Sequence, residues 1–219
     1  MKKKLFFVFI FFNLQNTMAI EEPAFQVISR DAKIEIRQYT PFIVAQTYVD
    51  GDMDDAGNQG FRRIADFIFG NNQAPGSDTS NKIAMTTPVT MEPQSSKIEM
   101  TAPVTMEPHD ANATMKTANK WRVHFVMPKQ YTMANIPKPK NNAVELAEVS
   151  EKYYAVLTYS GFNTLNRVQE KTTELMEWLK EKSITPKGTP QLSRYDPPWT
   201  LPMWRRNEIM IEISAPATN

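Results

Sequence analysis

The sequence predicts an α+β fold in which two similar halves pack into one domain. Short runs of β-branched and aromatic residues recur along the chain, and two segments carry helical apolar spacing. The order strand then helix occurs twice, roughly a hundred residues apart. With 219 residues, 41% of them hydrophobic and 22% charged, the chain holds enough apolar side chain for a core and too much for disorder.

The first 19 residues stand apart from that fold. Lys2, Lys3 and Lys4 precede the apolar run Leu5 to Phe12, which is too short to span a bilayer as a helix and suits the apolar part of an export signal. Thr17 and Ala19 are small enough to permit cleavage before Ile20. Residues 1–19 are therefore expected to be a signal peptide and 20–219 a single exported domain, periplasmic in a Gram-negative host, with no stable membrane insertion once the signal is gone. The whole chain carries 25 Lys+Arg and 24 Asp+Glu; loss of the leader removes three lysines and no acid, leaving 22 against 24. Neither balance offers the basic excess that nucleic acid demands, and a monomer is the expectation. The absence of cysteine excludes disulfides, thiolate metal sites and cysteine nucleophiles.

Within the domain, Phe25 to Ile28 and Ile34 to Arg37 are short β-like runs and Phe42 to Val49 a longer one. After the polar turn Asp50-Gly51-Asp52, a helix is predicted from about Asp54 to Phe69. Phe61, Ile64, Ala65 and Ile68 share one helical face there, Arg62, Arg63 and Asp66 point elsewhere, and Gly70-Asn71 supplies the stop. Trp121 to Met127 reads as a strand ended by Pro128, and Tyr153 to Tyr159 as another. A second helix is predicted from an Asn163 N-cap to about Lys182, with Leu165, Val168, Leu175, Met176 and Leu179 buried and Glu170, Lys171, Glu174 and Lys180 wet. Glu208 to Ile213 alternates acidic and apolar side chains, as a half-buried strand should.

The most informative local feature is a near-duplicate: KIAMTTPVTMEP at Lys82 to Pro93 and KIEMTAPVTMEP at Lys97 to Pro108. In each copy the apolar residues share one strand face, Ile83, Met85, Val89 and Met91 in the first and Ile98, Met100, Ala102, Val104 and Met106 in the second. The expected structure is a β-hairpin with a methionine-lined inner face, Pro88 and Pro103 sitting at an edge, a bulge or a break in pairing.

Both copies, the segment WRVHFVMP at Trp121 to Pro128, and RYDPPWTLPMWRRNEI at Arg194 to Ile209 together resemble the SOUL haem-binding protein family, in the right order and over about Glu22 to Ile213. The resemblance implies a distorted antiparallel β-barrel flanked by two α-helices and built from two pseudo-repeated halves. It implies reversible binding of haem or a related tetrapyrrole, for buffering or transport, without catalysis. It further implies an apolar groove beside the first helix with basic side chains for the propionates. Carried onto this sequence, that groove takes Phe61, Ile64, Ala65 and Ile68 as a wall and Arg62 or Arg63 as a propionate partner. Tyr195, Trp199 and Trp204 supply aromatic walls and Arg205 or Arg206 a second cation. The same helical residues could equally face the core, and the same aromatics could form a mini-core of their own. Two departures weaken the haem reading: no methionine lies on the apolar face of the first helix, and Thr200 follows Trp199 where a lysine can occur.

Iron ligation has few candidates. His124 points opposite to Trp121, Val123 and Phe125 and is expected to face solvent, His109 is expected in an exposed loop, and Tyr195 could ligate in principle. Weak or absent axial ligation fits this inventory. Two other classes compete: a Cu(I) carrier built on Met85, Met91, Met100 and Met106, and a scaffold for another hydrophobic ligand or a protein partner. No hydrolase, metalloprotease or phosphate-loop motif occurs. Asp196 is expected to cap the proline turn, and Glu208 to pair with Arg205 or Arg206.

Overall fold

The computed structural model describes residues 21–93, 115 and 118–216. The proposed leader, the second copy at 97–108 and His109 lie outside these residues. In chain order the elements are β1 (Phe25–Asp31), β2 (Ile34–Tyr39), β3 (Phe42–Asp50), α1 (Met53–Ile68), β4 (Asn72–Gln73), β5 (Val89–Pro93), β6 (Lys120–Val126), β7 (Lys138–Pro139), β8 (Glu145–Val149), β9 (Lys152–Tyr159), α2 (Leu165–Glu181), β10 (Gln191–Arg194) and β11 (Asn207–Ile213), with a 3-10 turn at Pro202–Trp204. Every strand and helix that the sequence predicts within the described residues forms, except that only Val89–Pro93 of the first copy is a strand and Lys82 to Pro88 is not.

Nine strands make one antiparallel sheet in the order β1-β2-β9-β11-β10-β5-β6-β3-β8, while β4 and β7 pair separately. With the edge strand β1 set aside, the order is equivalent on either side of the β10–β5 junction. One half runs β2-β3-α1-β5-β6 along the chain and the other β8-β9-α2-β10-β11, and each half's first strand pairs in the other half's side of the sheet: β2 with β9, β8 with β3. The two halves expected from the repeated strand-helix order are thus present and related by an approximate two-fold.

Topology also forces the sheet to curl. β2 and β3 stand six positions apart, about 29 Å in a flat sheet, yet only Thr40 and Pro41 join them, a link that spans at most about 11 Å. Ser150 and Glu151 impose the same closure between β8 and β9. The Tyr39 and Phe42 rings, on either side of the first link, lie 6.3 Å apart. The result is a half-barrel with helices on its outer face, α1 over β3 and β6, α2 over β9 and β11.

Alternation along the strands divides the residues between the two faces. Ile36, Ala45, Trp121, Val123, Phe125, Leu157, Ile209 and Ile211 point outward under the helices and form the main core with Ile64, Phe67 and Ile68 of α1 and Val168, Leu175 and Leu179 of α2. Tyr39, Tyr154, Val156 and Met210 form a smaller cluster on the inner face. Asp52 caps α1, its carboxylate accepting from the Asp54 and Asp55 amides at 3.0 and 2.9 Å. α1 comes close to β6 at Gly60, where a Cβ would lie 2.6 Å from the Val123 side chain.

Three local expectations are corrected. Thr164, not Asn163, caps α2; Asn163 instead accepts from Tyr159 Oη at 2.7 Å and donates to Asn207 Oδ1 at 2.6 Å. Leu165 and Met176 are on the flank of α2 and exposed, because Thr172 completes a narrower buried stripe by donating its hydroxyl to the Val168 carbonyl at 2.8 Å. Finally, β5 pairs with β6 on one side and β10 on the other, which leaves no ladder edge at Val89–Pro93 for the second copy. The second strand of the expected hairpin, at 97–108, lies outside the described residues. Pro88 precedes the strand and Pro93 ends it, as proline's missing donor requires.

Candidate functional site

The chain between β10 and β11, Tyr195 to Arg206, is short, rich in proline and held from inside. Thr200 N donates to the Pro197 carbonyl at 3.0 Å and Trp204 N to Leu201 at 2.9 Å, closing two tight turns. Arg205 ties them together by donating to the carbonyls of Thr200 and Pro198, and its guanidinium lies 5.3 Å from the centre of the Phe162 ring. The Gly161 amide donates to the Pro202 carbonyl at 2.9 Å, so the β9–α2 turn abuts this loop. Asp196 accepts from the Arg206 amide at 2.6 Å, fastening the loop's two ends.

What this bracing holds outward is apolar. Trp199 is 82% exposed and Trp204 71%, with Met203, Leu201 and Phe162 also exposed beside them. The aromatics of the loop therefore make no mini-core. Met203 and Phe162 extend the platform and were passed over in the sequence, where neither has a periodic partner to mark its face.

Beneath the loop lies a buried charge network that faces the barrel interior. Glu208, fully buried on β11, accepts from Arg37 Nη1 at 3.1 Å, Arg206 Nη2 at 3.0 Å, Tyr195 Oη at 2.6 Å and Thr158 Oγ1 at 3.3 Å. Arg206 stacks 3.8 Å from the Tyr195 ring centre and reaches Glu22 at 3.0 Å. Burial works against the Arg37 charge, but Glu208 holds its pKa above the ordinary value; burial also raises Tyr39, to about 12, and pushes Tyr195 up with the help of Glu208. Glu208 pairs with Arg206 as expected, and Arg37 is the partner the sequence did not reveal. Tyr195 and Arg206 thus both direct hydrogen bonds to Glu208 within the fold.

The α1 part of the expected groove divides in the same way. Ile64, Ala65 and Ile68 are 0%, 7% and 1% exposed, packed on the sheet, and present no wall to a ligand. Phe61 is partly exposed against Phe125, ring centres 5.5 Å apart, and Arg62 is exposed with its Nε donating to Asn58 O at 3.2 Å. Arg63 donates to Tyr48 O at 2.9 Å. Among the described residues no hydrogen bond, ion pair or ring contact joins Phe61 or Arg62 to the terminal loop.

His124 points away from Trp121, Val123 and Phe125, but into the barrel rather than into solvent, because the sheet curls over it. It is buried, its Nδ1 has no hydrogen-bond partner, and burial, with the nearby Arg122 charge, holds its pKa well below the ordinary value. Of the methionines considered for copper, Met91 is buried in the core and Met85 is packed against it. Among the described residues no cluster of His, Asp or Glu is arranged to hold a metal.

Comparison with known proteins places this geometry. No curated protein matches the sequence. The fold is shared with the C-terminal domain of EcmrR, at TM-score 0.55 and 11% identity over 87% of this chain and 98% of that one. It is shared too with a hydrolase from Listeria innocua, at TM-score 0.52 and 11% identity over 85% and 94%. At such identity both show the fold alone. The sequence itself matches a family model across residues 20–97 and 91–212, two stretches that meet at the duplicated segment, and by that match the chain belongs to the SOUL heme-binding protein family.

Proposed function

We propose that this protein reversibly binds haem or a related tetrapyrrole on the exposed platform of the β10–β11 loop, without catalytic chemistry of its own. Export by way of residues 1–19, to buffer or carry the ligand outside the cytoplasm, is part of the same proposal. The observation that carries it is the pair of indoles, Trp199 and Trp204, held out at 82% and 71% exposure on an internally braced loop. A planar macrocycle suits such a surface, since stacked aromatic contacts contribute about 0.5–1.5 kcal/mol each. Arg205 spends two of its five N–H donors on carbonyls and retains donors for a propionate. The residues fit the ring and its acids; the buried His124, inside the barrel, is not available to the iron. Haem, when bound, supplies whatever redox chemistry occurs, while the chain orients and shields the macrocycle.

The test is titration of the purified protein with haem and with metal-free protoporphyrin IX, followed by Soret absorbance and tryptophan quenching. Both ligands should saturate with similar affinity. Replacing Trp199 and Trp204 together with Ala should weaken both by about tenfold, and Arg205→Glu should weaken protoporphyrin IX more than its dimethyl ester. Absence of saturable binding, or binding untouched by the double tryptophan replacement, removes the proposal and leaves the platform to another apolar ligand or partner.

A further inference from the structure

The barrel interior contains a cavity of about 350 Å3, bordered by His124, Thr90, Phe42, Val126, Ala147 and Val149 among others. That size is at the small end of ligand pockets, which run from about 300 to 1,000 Å3, and is too small to enclose a tetrapyrrole.

The approximate two-fold explains why it is empty of side chains. Across the inner face, Gln46, His124, Thr90, Ser193, Glu208 and Thr158 are successive register neighbours. The Thr90 and Ser193 hydroxyls meet at 2.9 Å on the symmetry axis. His124 thus occupies the place of Glu208, and Gln46 that of Thr158. Two and four residues back along β3 and β9 come Val44 and Phe42 against Val156 and Tyr154, whose outer partners are Ala147 and Val149 in one half and Glu35 and Arg37 in the other. Where the β9 side of the sheet has its interior filled by Arg37 bound to Glu35 and Glu208, the β3 side has the two short apolar side chains Ala147 and Val149. The space remains, bordered by the His124 ring, whose Nδ1 is turned into the packing without a partner.

From this arrangement we infer that the cavity is a second binding site, for a small uncharged molecule with an apolar body and one hydrogen-bonding group, held at His124. Four of the five charged side chains around the cavity pair with one another. Arg122 lies 3.5 Å from Glu92, which also accepts from Gln191 at 2.7 Å; Lys152 lies 2.5 Å from Glu212; Glu148 stands exposed at the rim. An anion would have to break one of these pairs or enter without a counterion, and a cation would find only Glu148, out at the rim. A neutral one needs only to satisfy the imidazole and cover Phe42, Val126, Ala147 and Val149.

The experiment uses 4-methylphenol, benzoate and benzylamine as probes of similar size, with binding followed by calorimetry and by amide chemical shifts of the full protein. 4-Methylphenol should bind saturably, with shifts at Thr90, His124, Val126 and Ala147, and more tightly than either ion. Ala147→Leu, on an outer strand, should fill the cavity and abolish binding while haem titration is unchanged. His124→Leu should weaken binding by about tenfold, and His124→Gln should restore most of it. No saturable binding of 4-methylphenol, tighter binding of benzoate or benzylamine, or indifference to Ala147→Leu overturns the inference. Because the tryptophan platform is read out separately, failure of either site is distinguishable from failure of the other.

Discussion

His124 is enclosed beside the Arg122 guanidinium with a ring nitrogen unpaired, so the folded chain accepts only its neutral form. In the unfolded chain the imidazole protonates at its ordinary value of 6.5. Below that pH the unfolded state binds the extra proton and the folded state does not, so stability falls as pH drops through 6.5 and continues to fall until the depressed folded value is reached. Gln46 and Thr90 face it across the ladders, Arg122 precedes it by two on β6, and Glu92 stands opposite Arg122. Urea midpoints measured between about pH 8 and pH 5 should decline in the wild type and be flatter in His124→Gln; equal slopes would show that another group carries the dependence. The face on which His124 lies was legible from simple alternation. Its burial was not, because a polar residue lining a barrel and one facing water give the same period-two pattern.

The helices and strands were read well where one face is apolar and the other wet. β10 (QLSR) escaped notice because it is short and carries Gln191 and Ser193 to the inner face, and β8 (ELAEV) because two glutamates interrupt its few apolar residues. Gly60 is a different kind of omission: glycine inside a helix reads as a weakness, and only the packing of α1 on β6 shows that it is required. Gly60→Ala should cost about 1–3 kcal/mol in chemical denaturation despite alanine's better helix propensity, since Val123 is branched and fully buried. Gly57→Ala meets only the flexible end of Met91 and should be far milder. Val123→Ala in the Gly60→Ala background should recover part of the loss if the clash is its cause.

The duplicated segment supports a second prediction for elements. Ile83, Thr86, Thr90 and Met91 of the first copy are buried, and each has an identical residue in the second copy. Ala84 and Thr87, the two positions that differ, are exposed and half-buried. Deleting residues 82–96 joins Lys97–Pro108 to Asn81 with every buried side chain retained. The shortened protein should fold, with a urea-derived stability within about 1 kcal/mol of the parent. A protein that fails to fold would mean that the copies are not equivalent.

At the scale of the whole molecule, repeated strand-helix order announced two halves, and the family resemblance supplied the barrel. Neither disclosed how the halves are joined, because strand order in a sheet depends on pairings that no local pattern records. The site was legible in part for the same reason. Trp199 and Trp204 could be named from a proline-rich stretch, but Arg206 and Tyr195 turned out to serve a carboxylate supplied by their own chain, with Arg37 arriving from 171 positions away.

The links at Thr40-Pro41 and Ser150-Glu151 send the leading strand of each half across to the other's flank. Neither half is therefore a self-sufficient unit: each would have a strand to give away and a vacancy to fill. Two such units satisfy one another only by reciprocal exchange, as the subunits of a swapped homodimer do. The architecture is that of a symmetric pair tied into a single polypeptide, one side of whose interior is closed by Arg37 and the other left open.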